Sequence, residues 1–191
     1  QQLVPDVSVP KAFEACDAQW KSWAVPARRV WTPRIALLDV GVKTNIMRSL
    51  VVRGCYVYVL PYGSDAAEIA ATDPDGVVIC NGPGDPLQAQ KAVETVRELI
   101  GHFPLMGICL GHQILSLAIG ATTSRLPFGH RGSNHPVKDL LTGRTYITSQ
   151  NHGYQVDAES IPSAGGFRVS HTNLNDGSVE GITHERLPVF S

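Results

Sequence analysis

Cys109 stands in the run Gly107-Ile-Cys-Leu-Gly111, and a thiol with glycines two residues on either side is a candidate nucleophile. The glycines permit a sharp strand-to-helix turn and a close approach of the helix to its sheet. Such a turn puts the cysteine at a helix N-terminus, where unpaired N–H groups and the helix dipole favour the reactive thiolate. Cysteine is also a common small core residue. From this run alone, nucleophile and buried core residue stand as equal readings. The surrounding stretch, residues 104–120, has about the length of a membrane span. Gly107, Gly111, His112, Gln113 and Gly120 interrupt it, so it reads as a buried strand followed by a buried helix.

A second candidate is the turn Asn81-Gly-Pro-Gly-Asp-Pro86. Glycines flanking Pro83 give a rigid bend whose backbone N–H can point into a cavity, as an oxyanion donor must; a purely structural turn has the same composition. An acyl-transferring thiol also needs a base, and none of the seven histidines is an obvious one. His112 lies inside the helix after Cys109 and reads as a packing residue or one behind the site. His130 and His135, in residues 128–136, and His152, in residues 150–154, fall in glycine-containing loops able to supply directed hydrogen bonds. His171 and His184 belong to late strands, and His102 precedes the cysteine strand at the wrong end.

The elements that must position these residues follow from periodicity. Residues 35–38 are a continuous apolar run ending in Asp39, as in a strand buried on both faces. Residues 44–52 read as a helix stopped by Gly54, and residues 55–60 and 76–80 as further strands. Asp65 and Glu68 are spaced for a capping box, and Ala89, Ala92, Val93, Val96 and Ile100 share one helical face. Strands alternating with helices predict an α/β fold: an open, mainly parallel sheet with helices on both faces. Beyond Gly120, short strands at 145–148, 167–170 and 179–182 predict antiparallel additions at one edge. Ligands of such sheets bind at the carboxyl ends of the strands. Cys109 and the Asn81 turn share that edge, which strengthens the functional reading of both.

The 191 residues suffice for one domain with a sizeable core. A net charge of −1 without a basic block argues against nucleic-acid or anionic-membrane partners. Cys16, Cys55, Cys80 and Cys109 lack metal-site or disulfide spacing, and no secretory leader is evident; a reducing cytoplasm fits. Residues 1–33, with four prolines and Trp20, Trp23 and Trp31, read as a linker or arm packing on another surface.

Gly107-Ile-Cys-Leu-Gly-His-Gln113 after Asn81-Gly-Pro-Gly-Asp-Pro86 resembles a class I (triad) glutamine amidotransferase, a flavodoxin-like fold. Within that superfamily, Asp39-Val-Gly-Val-Lys-Thr-Asn-Ile46, Phe128-Gly-His-Arg-Gly-Ser-Asn-His-Pro-Val-Lys138 and Thr148-Ser-Gln-Asn-His-Gly-Tyr154 resemble the small, glutaminase subunits of carbamoyl-phosphate synthases. The resemblance spans about residues 34–191. It implies that Cys109 attacks the side-chain amide of L-glutamine and forms a thioester, releasing ammonia to a large synthetase subunit for pyrimidine and arginine biosynthesis. It implies an oxyanion hole from the N–H groups of Leu110 and Gly84. Gly82, Gly84, Leu110, Gln113, Asn151, Gly153 and Tyr154 are the substrate-binding residues it implies. No metal or cofactor is implied for this chain; ATP, magnesium and bicarbonate belong to the partner. The family's base and its orienting glutamate form a His-Pro-Glu motif a few residues beyond a strand like 188–191, outside this sequence. Residues 1–33 then follow an N-terminal domain that the sequence lacks, and the chain by itself is expected to be inactive. Two other readings stand beside this one: the amidotransferase of a GMP- or anthranilate-type synthase, which residues 128–138 disfavour, and a non-catalytic scaffold that lost its base.

Overall fold

The computed structural model describes residues 3–15 and 31–191. A helical turn α1 (Val4–Val7) and a short strand β1 (Phe13–Glu14) precede the regular alternation of β2 (Arg34–Asp39), α2 (Thr44–Val52), β3 (Tyr56–Pro61), α3 (Ala66–Ala70), β4 (Gly76–Ile79), α4 (Gln90–Leu99), β5 (Leu105–Gly107) and α5 (Leu110–Ala118). The strands of this half are apolar because both faces are covered. Ala36, Leu37, Val59 and Ile79 are wholly buried. Asp65 caps α3 as its spacing predicts: the Glu68 N–H donates to Asp65 Oδ1 at 2.8 Å, and the Asp65 N–H donates to Glu68 Oε2 at 3.0 Å.

The remaining strands are β6 (Thr123–Asp139), β7 (Thr145–Val156), β8 (Phe167–Asn173), β9 (Val179–His184) and β10 (Val189–Phe190). All ten join one sheet in the order β1-β3-β2-β4-β5-β10-β9-β7-β6-β8. The run from β3 to β10 is parallel. With right-handed crossovers, chains leaving β2 towards β3 and β4 towards β5 run to opposite sides. The crevice between the ends of β2 and β4 is therefore the switch point where such sheets bind ligands.

Two expectations need correction. Residues 128–136 and 150–154 are not loops but parts of β6 and β7, a long hairpin in which His130 faces His152 and Arg131 faces Asn151. Glycines and polar residues disguise the strands, because register shifts between Arg125 and His130 and between Gly132 and His135 break their alternation. Antiparallel pairing also occurs at both edges, since β1 lies against β3. The antiparallel half closes on itself: β9 pairs with β7 and β8, which both pair with β6.

The described part of the N-terminal arm packs on this same domain. The Val9 N–H donates to Asp39 Oδ2 at 2.8 Å, and the Gly41 and Val42 N–H groups donate to Oδ1 at 2.9 and 2.7 Å. Asp39 is only 1% exposed, so these three donors replace the water the carboxylate loses. Trp20 and Trp23 lie outside the described residues, and Trp31 is exposed. No helix among the described residues is long and apolar enough to cross a membrane.

Asp39→Ala leaves those donors stranded at the switch point. A loss of about 3 kcal/mol is expected, read as a shift in the urea midpoint. An unchanged midpoint would show that the carboxylate is not the organising group.

Candidate active site

The backbone turns at Cys109 with φ 55° and ψ −107°, a conformation costly for a residue with a Cβ. The surrounding glycines explain how it is held. A Cβ on Gly107 would lie 2.6 Å from the Gly111 carbonyl oxygen, and one on Gly111 would collide with the Ile79 carbonyl. A Cβ on Gly82 would likewise strike the Val40 carbonyl. Three backbone segments thus meet without side chains between them, and α5 is seated directly on the end of β4. Leu110, buried beneath, anchors the first turn of α5.

Cys109 opens into a cavity of about 560 Å³ at the carboxyl ends of the strands. The cavity gathers Gly82, Gly84, Gln113, Asn151, Gly153 and Tyr154, all singled out from the sequence. Leu110 contributes its N–H, which faces the Cys109 sulfur. Gly84 adopts φ 95°, with the Leu3 side chain at its border. Asn81 ties the two switch-point loops together: its Oδ1 accepts the Lys43 N–H at 3.1 Å, and its Nδ2 donates to the Gly41 carbonyl at 3.1 Å. Gln113 Nε2 donates to the Tyr154 carbonyl at 2.8 Å, which joins α5 to β7 and leaves the amide oxygen for a ligand.

The sequence reading missed Lys43 and Arg131, two cations on the cavity wall suited to a carboxylate-bearing ligand. Lys43 sat in the quoted opening motif and Arg131 beside His130, yet neither had a spacing that announced a role. His102 is exposed outside the cavity, as its position in the chain predicts.

The electrostatics correct one expectation. Cys109 is exposed in the cleft, but the cleft walls desolvate its thiol and push its pKa above the ordinary value. The Leu110 N–H and Lys43 pull it down, and Glu180 pushes it further up. Desolvation outweighs the helix N-terminus, so the resting group is a thiol that needs a base. His112 is unsuited to that role. Burial drives its pKa down to about 4, and its Nδ1 lies 2.7 Å from Ser191 Oγ. It is a neutral packing residue behind Cys109, as its place in the helix predicts.

The sequence model described as "Glutamine amidotransferase class-I" matches residues 36–191. The chain belongs to the class I glutamine amidotransferases. This amidotransferase chain is 55% identical over 161 residues to the carbamoyl phosphate synthase small chain of Symbiobacterium thermophilum, covering 83% of this chain and 44% of that one. It is 51% identical over 189 residues to the corresponding small chain of Methanopyrus kandleri, covering 99% of this chain and 48% of that one. It thus spans about half the length of these curated relatives. Among solved structures, a putative GMP synthase subunit from Thermoplasma acidophilum superposes with a TM-score of 0.71 at 20% identity, covering 85% of this chain and 83% of that one. A glutamine amidotransferase from Thermotoga maritima gives 0.62 at 17%, covering 84% and 74%. These two share the fold.

Gly111→Val forces a branched side chain onto the Ile79 carbonyl and is expected to cost about 3 kcal/mol, measured by thermal melting; wild-type stability would mean the close approach is dispensable. Alkylation of Cys109 by iodoacetamide should rise with a midpoint above the ordinary cysteine pKa, and a midpoint near neutrality would contradict the desolvated thiol. His112 gives a stability signature of definite sign. Its folded pKa of about 4 lies below the unfolded value, so the unfolded chain takes up the proton first as pH falls. Stability should decline between about pH 6.5 and 4, by about 3 kcal/mol in full. His112→Gln should flatten that decline in urea titrations relative to the parent.

Proposed function

We propose that this chain is the glutaminase domain of a carbamoyl-phosphate synthase small subunit, acting in the cytoplasm. The single observation that carries the reading is the strained Cys109 elbow opening between the Gly82–Gly84 turn and the Asn151–Tyr154 segment of β7. The identity to carbamoyl phosphate synthase small chains supports this synthase over a GMP type, whose solved relative is 20% identical and shows the fold alone.

In the proposed reaction the Cys109 sulfur attacks the side-chain carbonyl carbon of L-glutamine as a base removes the thiol proton. The negative charge that develops on the carbonyl oxygen is met by the N–H groups of Leu110 and Gly84. The amide C–N bond breaks as the base returns the proton to the leaving nitrogen, giving ammonia and a glutamyl thioester. Water then hydrolyses the thioester to glutamate. Lys43 and Arg131 suit the α-carboxylate of the substrate, and the Gln113 oxygen suits its ammonium. Glutamine hydrolysis needs no cofactor; ATP, magnesium and bicarbonate serve the large synthetase subunit that receives the ammonia.

His112, buried and neutral, is not that base. The strand β10 runs parallel beside β5, pairing Phe190 with Met106, so chain following it emerges at the same edge as Cys109. A His-Pro-Glu segment following Ser191 would arrive beside the thiol. With that segment and the large subunit present, Cys109→Ser is expected to abolish glutamine-dependent carbamoyl phosphate synthesis while ammonia-dependent synthesis persists. Loss of both would point to misfolding, and retention of both would remove Cys109 from the chemistry.

A further inference from the structure

The closed antiparallel half of the sheet gathers polar side chains from all four of its strands, among them His130 from β6, His152 from β7, Asn173 from β8 and Glu180 from β9. The hydrogen bonds fix which ring nitrogens carry protons. His152 Nδ1 lies 2.8 Å from the Tyr154 carbonyl, which can only accept, so Nδ1 is protonated. In the neutral ring, Nε2 then presents a lone pair. That atom is buried without a hydrogen-bond partner and lies 3.5 Å from Glu180 Oε2. His130 Nε2 is 2.8 Å from Asp176 Oδ2, a carboxylate oxygen, so Nε2 carries a proton, while Nδ1 lies 3.2 Å from Glu180 Oε1 and 3.4 Å from Asn173 Nδ2.

Two ring nitrogens, one of them without a hydrogen-bond partner, therefore converge on one buried carboxylate, a place suited to positive charge. We infer that His130, His152 and Glu180 form a binding site for a zinc-class divalent cation.

Three features carry this reading further than a simple proton on either ring. The first is the donor set, two imidazoles and one carboxylate, which is a recurrent zinc set that leaves a fourth position open. The second is distance. His130 Nδ1 is 3.2 Å from Glu180 Oε1 and His152 Nε2 is 3.5 Å from the other oxygen, Oε2, each near the separation of about 3.3 Å between neighbouring ligands of a zinc-class ion. All three ligand atoms lie within 4.8 Å of one another, so a modest ring rotation brings the histidine nitrogens to the same metal. The third is the support behind the ligands. Metal-bound histidines characteristically donate their other N–H to a carboxylate or a backbone carbonyl. Asp176 and the Tyr154 carbonyl are already in those places. Asn173 Nδ2 holds Glu180 Oε1 at 2.9 Å, fixing the carboxylate as well.

A cavity of about 290 Å³ lined by Cys109, His152 and Glu180 provides entry and room for a water as fourth ligand. A bound cation would stiffen β7 at His152, between Asn151 and Gly153. This inference rests on side-chain geometry, not on the glutaminase reading.

The test is titration of the intact protein with Co²⁺ at pH 7.5, followed by visible d–d absorption, then displacement by Zn²⁺. One equivalent of Co²⁺ with four-coordinate intensity is expected. Glu180→Gln keeps an acceptor for Asn173 but loses the charge, and should weaken binding at least about tenfold; His130→Gln, a second ligand variant, should do the same. Cys109→Ala should retain the site, which separates it from thiol chelation, and His102→Asn should bind as the parent does. Binding should also weaken as pH falls, because both rings must be free of their second proton. Absence of saturable binding, survival of the signal in Glu180→Gln, or its loss in Cys109→Ala would each overturn the inference. A glutaminase that proved inactive would leave this optical readout intact.

Discussion

The structure depends on a place where backbone meets backbone with nothing between. The first turn of α5 lies against the carbonyls of Ile79 and Cys80, a distance that only a glycine at 111 permits. Because the helix cannot withdraw, the chain joining it to β5 must turn within two residues, and Cys109 is forced to positive φ. The cost of that conformation is offset by packing on both sides: Leu110, Ile114 and Leu115 are buried under the helix, and Leu105 and Val77 under the strands. Cys109 is displayed by rigid elements, not carried on a mobile loop.

A second layer of order comes from polar groups at the switch point. Asp39 gathers backbone N–H groups from the arm and from the loop after β2. Beside it, Cys80 donates its thiol hydrogen to the Asn81 carbonyl at 3.1 Å and accepts the Val40 N–H at 3.3 Å; burial pushes that thiol up to about 12, so it stays inert. One buried thiol and one exposed thiol, a strand apart, thus have opposite fates decided by whether the backbone opens them to the cavity.

Much of this was legible beforehand, for identifiable reasons. Residues 44–52 repeat with helical period and end at a glycine with positive φ, and helix α2 has those bounds. Asp65 and Glu68 announced a cap, and the glycine pair flanking Cys109 announced the elbow, because each is a short-range requirement written into adjacent residues. The β6–β7 hairpin was hidden because its alternation is broken by bulges and its residues are polar on both faces. The partnership of His130, His152 and Glu180 was hidden differently. The three are scattered along the chain, and only closure of the antiparallel strands brings them together. The resting charge of Cys109 was misjudged because a helix terminus can be read from sequence, whereas desolvation requires the surrounding walls.

Strand β10 has a consequence for how the protein is made. It is the latest of the described strands to leave a ribosome, yet it is threaded between β5 and β9 near the middle of the sheet. Until it arrives, the parallel and antiparallel halves lack the seam that makes their hydrogen-bonded network continuous. Because Gln113 ties α5 to Tyr154 of β7 independently of it, β10 contributes continuity of the sheet and not the first contact between the halves. The last described strand to be synthesised is thus the one on which an unbroken sheet depends.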